Sequence, residues 1–305
     1  MRIETAPEQY SYIGSFIYEH DGEMETMRVA HRMEKDGFRQ RLFSMTGSAR
    51  EIIRDNEGVW CYLPDKKIGV HEYQQSSRNN FLQIRGEQIH ALDLYYDLKL
   101  VGEGRIADRS ATILNLRPKD RYRYGYVLWA DKKTGLLLRT DLVDGDGEII
   151  ERYMFVDIEI GVDIADSLLE PRTPRDSLAW FGIEPKPGKA DANGSESGSA
   201  TTPKAKSVMH WDSNALPPGF KLAYSINRRE PMADKAVEHH VYSDGLSSVS
   251  LFVKTSPDNG GATGLSRMGA VSAYVKQIEG YLVTVIGEVP ESAVSMIADG
   301  VTRIR

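Results

Sequence analysis

Gly182 to Ser207 reads GIEPKPGKADANGSESGSATTPKAKS, and this stretch constrains the fold more than any motif in the chain. It is rich in Pro, Gly, Ser, Ala and Lys and almost devoid of large apolar side chains. It cannot bury enough surface to offset the entropy of ordering its backbone. A segment of that composition acts as a flexible linker. In a chain of 305 residues it leaves two pieces of ordinary domain size. The expected organisation is a large domain over 1–183, a linker over 184–207 and a small domain over 208–305.

Ahead of the linker, short alternating segments recur with turn signals between them. In GSFIYEH, Phe16, Tyr18 and His20 share one face, and Asp21-Gly22 supplies a favoured hairpin turn into METMRVAHRM. Asp36-Gly37 repeats the device before FRQRLFSM. EIIR, GVWCYLP, KIGVHEY, KLVGEGRI and ATILNL follow, then RYGYVLWA, GLLLRTDLV and EIIERYMFVDIEI, the last three joined by DKKTG and DGDG turns. This order predicts a meander of antiparallel strands forming one large curved sheet. A helical insert is expected over Glu87–Leu98, where Ile89 and Leu92, with Tyr96 beyond them, have helical spacing.

After the linker, GFKLAYSI, AVEHHVYS, LSSVSLFVK, GAVSAYVKQI and YLVTVIGEV read as five more strands, with tight turns at Asp244-Gly245 and Glu279-Gly280. Pro290 opens a helix whose Val294, Ile297, Val301 and Ile304 form an apolar stripe. The fold class is therefore mainly β, of the α+β kind. It comprises a large antiparallel sheet with a helical insert and a smaller antiparallel sheet domain with a C-terminal helix.

The chemistry of an enzyme is missing from this pattern. There is no phosphate-binding GxxxxGK[ST] loop, no HExxH and no GxSxG, and Gly102-Glu103-Gly104 lacks the third glycine of a dinucleotide fingerprint. His239 and His240 are adjacent in a strand, so they point to opposite faces and cannot hold one metal together. Asp141, Asp144, Asp146 and Glu148 lack calcium-loop spacing and read as a hairpin turn. Cys61, the single cysteine, reads as a buried strand residue in VWCYLP. No cofactor, metal or catalytic residue is expected. A formal net charge of -6 argues against nucleic acid as a partner. In RPKDRYRYGYVLW, Tyr122, Tyr124 and Tyr126 are expected on one strand face, with Arg121 and Arg123 facing water. No stretch is long and apolar enough to span a bilayer as a helix. Taken alone, the N-terminus MRIETAPEQYSY lacks the charged start and apolar run of a secretory signal and would place the protein in the cytoplasm.

Longer segments carry a resemblance. GSFIYEHDGEMETMRVAHR, REIIRDN, CYLPD, YRYGYVLWADKKTGLLLRTDLVD and ERYMFVDIEIG resemble the large domain of the RseB/MucB family. LPPGFKLA, VEHHVYSDGLSSVSLFV and GAVSAYVKQIEGYLVTVIGEVP resemble its small domain. The likeness runs from about Gly14 to the C-terminus. It implies a large domain shaped like the lipoprotein carriers LolA and LolB, a half-open β-barrel with an apolar cavity, beside a smaller β-rich domain. It implies a periplasmic protein that binds the periplasmic part of an anti-sigma factor, RseA or MucA, and shields it from the first regulatory protease. Lipopolysaccharide or the acyl chains of mislocalised lipoproteins would trigger release. Family members are expected to carry a signal peptide and helical sequence ahead of the first strand, whereas Met1–Ser11 stands there in this sequence, so a periplasmic location follows from the resemblance alone.

From strand position, Trp60, Tyr62, Tyr126, Leu128 and Met154 are expected to line the lipid cavity. Val241, Tyr242, Leu246 and Phe252 are expected at the partner surface. A homo-oligomer is left open. The rival readings are a lipid or lipoprotein carrier that needs no anti-sigma partner, and a hydrolase of envelope lipids, for which no nucleophile and base stand out.

Overall fold

A computed structural model describes residues 3, 6–72, 93–183, 209–229, 236–256 and 263–304. The expected linker over 184–207 lies outside the described residues, as do residues 87–92 of the expected helical insert. Residues 93–95 are helical, but Tyr96–Leu98 already belong to a strand, so the insert is not helical to its expected end. Alternation decides it. Leu98 pairs with Leu116 across a ladder, and that long-range pairing overrides the weak helical spacing of the segment.

Twelve strands form the large sheet: β1 (Tyr12–His20), β2 (Glu23–Glu34), β3 (Gly37–Ser44), β4 (Glu51–Arg54), β5 (Val59–Leu63) and β6 (Ile68–Glu72), then β7 (Tyr96–Ile106), β8 (Arg109–Pro118), β9 (Gly125–Asp131), β10 (Leu137–Val143), β11 (Ile149–Ile160) and β12 (Ala179–Ile183). Their order is β12-β6-β5-β4-β3-β2-β1-β11-β10-β9-β8-β7, so the sheet has two free edges and the barrel is not closed. All neighbours are antiparallel except β12, which runs parallel to β6. The strand pattern expected ahead of the linker does not include β12. The hairpin turns follow local chemistry: Asp21 and Gly22 both have positive φ, as the primed turn between β1 and β2 requires. Gly102 sits at a bulge within β7. Asp144 accepts from the backbone N–H groups of Asp146 and Glu148, which makes the DGDG segment a hydrogen-bonded turn.

The smaller sheet has the order β14-β15-β16-β19-β18-β17, from β14 (Lys221–Arg229), β15 (Ala236–Ser243), β16 (Ser248–Thr255), β17 (Gly264–Met268), β18 (Val271–Ile278) and β19 (Tyr281–Gly287). Helix α1 (Glu291–Asp299) covers one face of it, burying Ala293, Val294, Ile297 and Ala298 against Val249, Leu251, Val253, Val283 and Val285. Full burial of side chains such as Val294 and Ile297 contributes roughly 1.5–3 kcal/mol each. The helix is shorter than its sequence pattern implies. Val301 belongs to β20 (Val301–Arg303), which pairs with β13 (Trp211–Ser213), and Ile304 is exposed. Gly300 interrupts the helix before the stripe is complete. Among the described residues no helix is long and apolar enough to cross a membrane.

The two sheets meet at one buried cation. Arg123 was expected to face water from a strand, but β9 begins only at Gly125, and the bends before it turn the side chain inward. Its guanidinium is fully buried and hydrogen-bonds Asp120, the carbonyl of Pro218 and, at 2.6 Å, Asp244 of the β15–β16 turn. The rings of Tyr95 and Phe220 lie 4.6 and 5.3 Å from its Cζ. Around it Leu246 packs on the large sheet's Tyr96–Leu128 cluster, Ala270 packs on Tyr124 and Leu142, and Ser292 donates to the carbonyl of Arg121 at 2.6 Å. Removing Arg123 would leave Asp244, whose side chain is 1% exposed, as an uncompensated buried charge. Arg123→Ala is expected to destabilise the protein by about 3–5 kcal/mol, with part of the loss recovered by adding Asp244→Asn. Urea unfolding followed by tryptophan fluorescence measures both, and an unchanged midpoint for Arg123→Ala would refute the anchoring role.

Candidate binding surfaces

Register divides the large sheet into two chemically different faces. Without a shift from β1 to β6, Met27 pairs with Phe16, Val29 sits across from Leu42, and Leu42 sits across from Ile52. These residues share a face with Phe155 and form a packed apolar cluster. The same face carries a polar row, Tyr12, His31, Gln40 and Arg54. His31 is buried, its ring stacked 4.8 Å from Tyr12 and 5.2 Å from Phe38, and its Nε2 lies 2.9 Å from the carbonyl of Pro7 and donates to it. Burial holds its pKa down to about 4, against a smaller upward pull from the Pro7 carbonyl.

The opposite face of β3–β6 is closed by the chain that returns after β11. Trp60 and Tyr62 pack there with Ile53, Leu178 and Trp180, and Trp180 lies over Gly69, where a Cβ would come within 2.6 Å of the ring. Arg41 and Glu51 form a buried ion pair of 2.7 Å. Glu51 also accepts from the backbone N–H of Arg172 and of Thr173, and from the Thr173 hydroxyl. Burial raises the cost of its charge, but the Arg172 N–H, Arg41 and the Thr173 hydroxyl outweigh it and hold the carboxyl below its ordinary range.

The five residues expected to line one cavity are therefore not brought together. Trp60 and Tyr62 lie on the sealed face. Tyr126 and Leu128 lie on the other face, since Leu128 pairs through Thr140 and Tyr153 to Tyr18. They sit in the cluster of Tyr96, Leu114, Leu116 and Leu137, and Met154 packs at the margin of the Phe16 cluster. Alternation within each strand was legible in the sequence, but the pairing that decides which residues of distant strands share a face was not.

Where the Tyr126 end of this face meets the small sheet, acidic and aromatic groups gather. Tyr18 and Tyr153 stack with ring centroids 4.4 Å apart, and the Tyr153 hydroxyl donates to Glu151 at 3.4 Å. Burial, reinforced by Glu288 just past the end of β19, pushes the Glu151 carboxyl above its ordinary value.

The partner set fares similarly. Val241 and Tyr242 are 1% and 0% exposed, so neither presents a surface. β15 is covered on both sides: Tyr242 lies under α1 with its hydroxyl donating to Asp212 at 2.7 Å, and Val241 lies on the other face beneath its neighbours. Leu246 is part of the inter-sheet contact. Phe252 shares with Val241 the face opposite α1 and, unlike Val241, is half-buried there. It is stacked 4.2 Å from buried His239 and borders a concavity of about 180 Å³ with Val237, Lys254, Leu282 and Thr284. Leu282 and Thr284 gave no signal in the sequence beyond strand alternation. His239 and His240 do point to opposite faces, His240 bonding Glu238 at 2.9 Å on the covered side.

Two family models match this chain: the MucB/RseB N-terminal domain over residues 1–173 and the MucB/RseB C-terminal domain over 205–302. The chain belongs to the MucB/RseB family. It is 31% identical to the sigma factor AlgU regulatory protein MucB of Pseudomonas aeruginosa over 304 residues, covering 97% of this chain and 87% of that protein. It is 25% identical to the sigma-E factor regulatory protein RseB of Escherichia coli, covering 98% and 88%. The solved MucA/MucB complex of P. aeruginosa contains a chain similar over 100% of this one and 97% of its own length, at 28% identity and a TM-score of 0.73. A second structure, MucB in complex with MucA(peri), matches over the same extents with a TM-score of 0.71.

The depressed His31 pKa sets a pH dependence. Its folded value of about 4 lies below the ordinary 6.5, so its contribution is fully present above pH 6.5 and is lost as pH falls towards 4. The amount is about 3 kcal/mol. Urea unfolding at pH 7 and pH 4 should show that much more loss in the wild type than in His31→Gln, and equal losses would contradict it.

Proposed function

We propose that this chain is a non-catalytic periplasmic regulator that binds the periplasmic domain of a MucA/RseA-like anti-sigma factor and shields it from regulated proteolysis. The observation that carries this reading is the likeness, along the whole of this chain, to MucB in complex with MucA(peri). Relatives from two bacteria are sigma factor regulatory proteins, which agrees with the absence of an acid, base and nucleophile constellation in the sequence. The second part of the proposal is that lipid-bearing molecules, such as lipopolysaccharide or lipoprotein acyl chains, engage the large domain (residues 1–183) and weaken the partner's hold. The linker over 184–207 and the small domain over 208–305 complete the proposed organisation.

The open face of the small sheet is the proposed partner contact. Phe252 and Leu282 are half-buried aromatic and aliphatic groups around a shallow concavity, with Lys254 at its rim. That composition suits an apolar anchor surrounded by polar groups.

Calorimetric titration with the cognate anti-sigma periplasmic domain, repeated with lipopolysaccharide present, tests both parts. Tight association that weakens with lipid is expected. An anti-sigma domain that fails to bind while lipid still does would favour a carrier instead. Phe252→Ala and Leu282→Ala should each weaken association about tenfold or more, roughly 1.4 kcal/mol. Wild-type affinity in both variants would move the contact elsewhere.

A further inference from the structure

The contact between the two sheets holds more carboxylates than its buried arginine uses. Arg123 takes Asp120 and Asp244. A second group follows a row set by register: Glu23 pairs with His20, His20 with Glu151, Glu151 with Leu142 and Leu142 with Tyr126, across β2, β1, β11, β10 and β9. The row and its flank touch the small sheet at two places. Leu142 packs with Ala270, and Tyr126 packs beside Leu246 on the Tyr96–Leu128 cluster. Asp21, next to His20, stands against the β17–β18 turn, where a Cβ on Gly269 would come 3.0 Å from its carboxylate. Between these two contacts lies Glu151, 7% exposed.

Glu288 reaches the same place from the other side. It follows β19, and its backbone is held on both flanks: Gly287 pairs with Ser272, whose hydroxyl donates to the Val289 carbonyl at 2.7 Å. Glu288 acts on Glu151 and on the phenols of Tyr18, Tyr126 and Tyr153, so all four large-sheet groups lie within its field. Around Glu151, β1 contributes Tyr18 and His20, with the Asp21 carboxylate 3.9 Å from the His20 Nδ1. Tyr153 comes from β11 and Tyr126 from β9, while β10 presents Leu142. Arg267 approaches from the β17–β18 hairpin over Tyr124, its Nε donating to the Gly269 carbonyl. Asp244 acts on Tyr126 but is already held by Arg123. Burial is the largest cause of the raised Glu151 value and Glu288 the next; Tyr18, His20 and Tyr153 pull it back in part.

Parting the sheets would return Glu151 to water and remove it from Glu288. The docked arrangement thus binds a proton at this pair more tightly than a parted one does, and the two carboxyls titrate as a pair. By linkage, docking gains from falling pH, and the gain is lost as pH rises through the raised Glu151 value. We propose that Glu151 and Glu288 form a proton-operated latch between the sheets, which holds them docked with a proton bound and loosens them once both carboxyls are charged. The Arg123 guanidinium stays charged throughout and remains as an anchor, so the latch biases a contact that already exists. The device goes beyond the proposed regulation, since it needs neither lipid nor anti-sigma factor to operate.

The test puts a thiol inside the contact of the full chain. Ala270 is 0% exposed, so Ala270→Cys, combined with Cys61→Ala, reacts with a disulfide reagent only when the sheets part or the chain unfolds. Rates are measured at pH 5.5 and pH 8 with Glu151 intact and with Glu151→Gln, which keeps the shape of the protonated acid. The ratio of the two rates cancels the thiol's own titration. That ratio should rise about threefold or more from pH 5.5 to pH 8. Glu288→Gln should remove most of the rise. Leu246→Cys, at the neighbouring contact, should report the same rise and replaces Ala270→Cys if that variant does not fold. Val29→Cys, buried within the large sheet, should show none. A flat ratio at the reporting thiol would overturn the latch, as would its failure to react at either pH. An undiminished rise in Glu288→Gln would overturn the pairing of the two carboxyls. A rise of equal size at Val29→Cys would assign the effect to global unfolding and overturn the latch as well.

Discussion

The fully buried guanidinium of Arg123 fixes how the two sheets of this protein stand relative to one another. It takes Asp120 from its own loop, Asp244 from the β15–β16 turn of the other sheet and the Pro218 carbonyl from the segment leading into that sheet. Aromatic rings of Tyr95 and Phe220 cover it. Two carboxylates and one cation withdrawn from water recover little net stability over an apolar filling. What they supply is geometry: a planar fork satisfied only when all three segments are in place. The apolar contacts around it, Leu246 on the large sheet and Ala270 against Tyr124 and Leu142, tolerate sliding far better than the fork does.

That junction bears on the proposed regulation. A ligand on the large sheet can change the affinity of a partner on the small one only by binding two arrangements of the sheets unequally, and the coupling must run equally in both directions. The junction holds the groups through which such a difference is expressed. Arg123 and Asp244 favour the observed arrangement. Glu288 acts against it, since with burial it raises the cost of ionising Glu151 on the large sheet. A contact that combines a strong geometric lock with a like-charge pair is more readily biased than a uniformly apolar one.

Much of the architecture was legible in the amino-acid sequence. Alternation marked most strands, Asp-Gly and Glu-Gly pairs marked the hairpins, and the apolar stripe after Pro290 marked the α-helix that packs on the small sheet. The strands that escaped notice, β12, β13, β17 and β20, are short, three to five residues, and too brief to show a period. The site residues were far less legible. Trp60 and Tyr126 look alike as aromatic strand residues, yet they stand on opposite faces of one sheet. Tyr242 and Phe252 likewise separate into a core position and an open one.

The sequence by itself determined the order of strands, the turns that join them, and family membership, because these depend on residues near one another in the chain: a period of two, a turn pair, a run of similar segments. The tertiary structure alone decided which residues share a surface and which charges are paired. A strand's side chains alternate, so a single-residue offset between strands exchanges the two faces, and that offset is fixed by ladders and bulges linking residues far apart, as between Ser15 and Phe16 or Leu137 and Arg139. Arg123 and Arg54 show the same limit for charge. Both are arginines in or beside strands, and only the fold gives one of them two carboxylates and, among the described residues, gives the other the phenols of Tyr12 and Tyr153 instead.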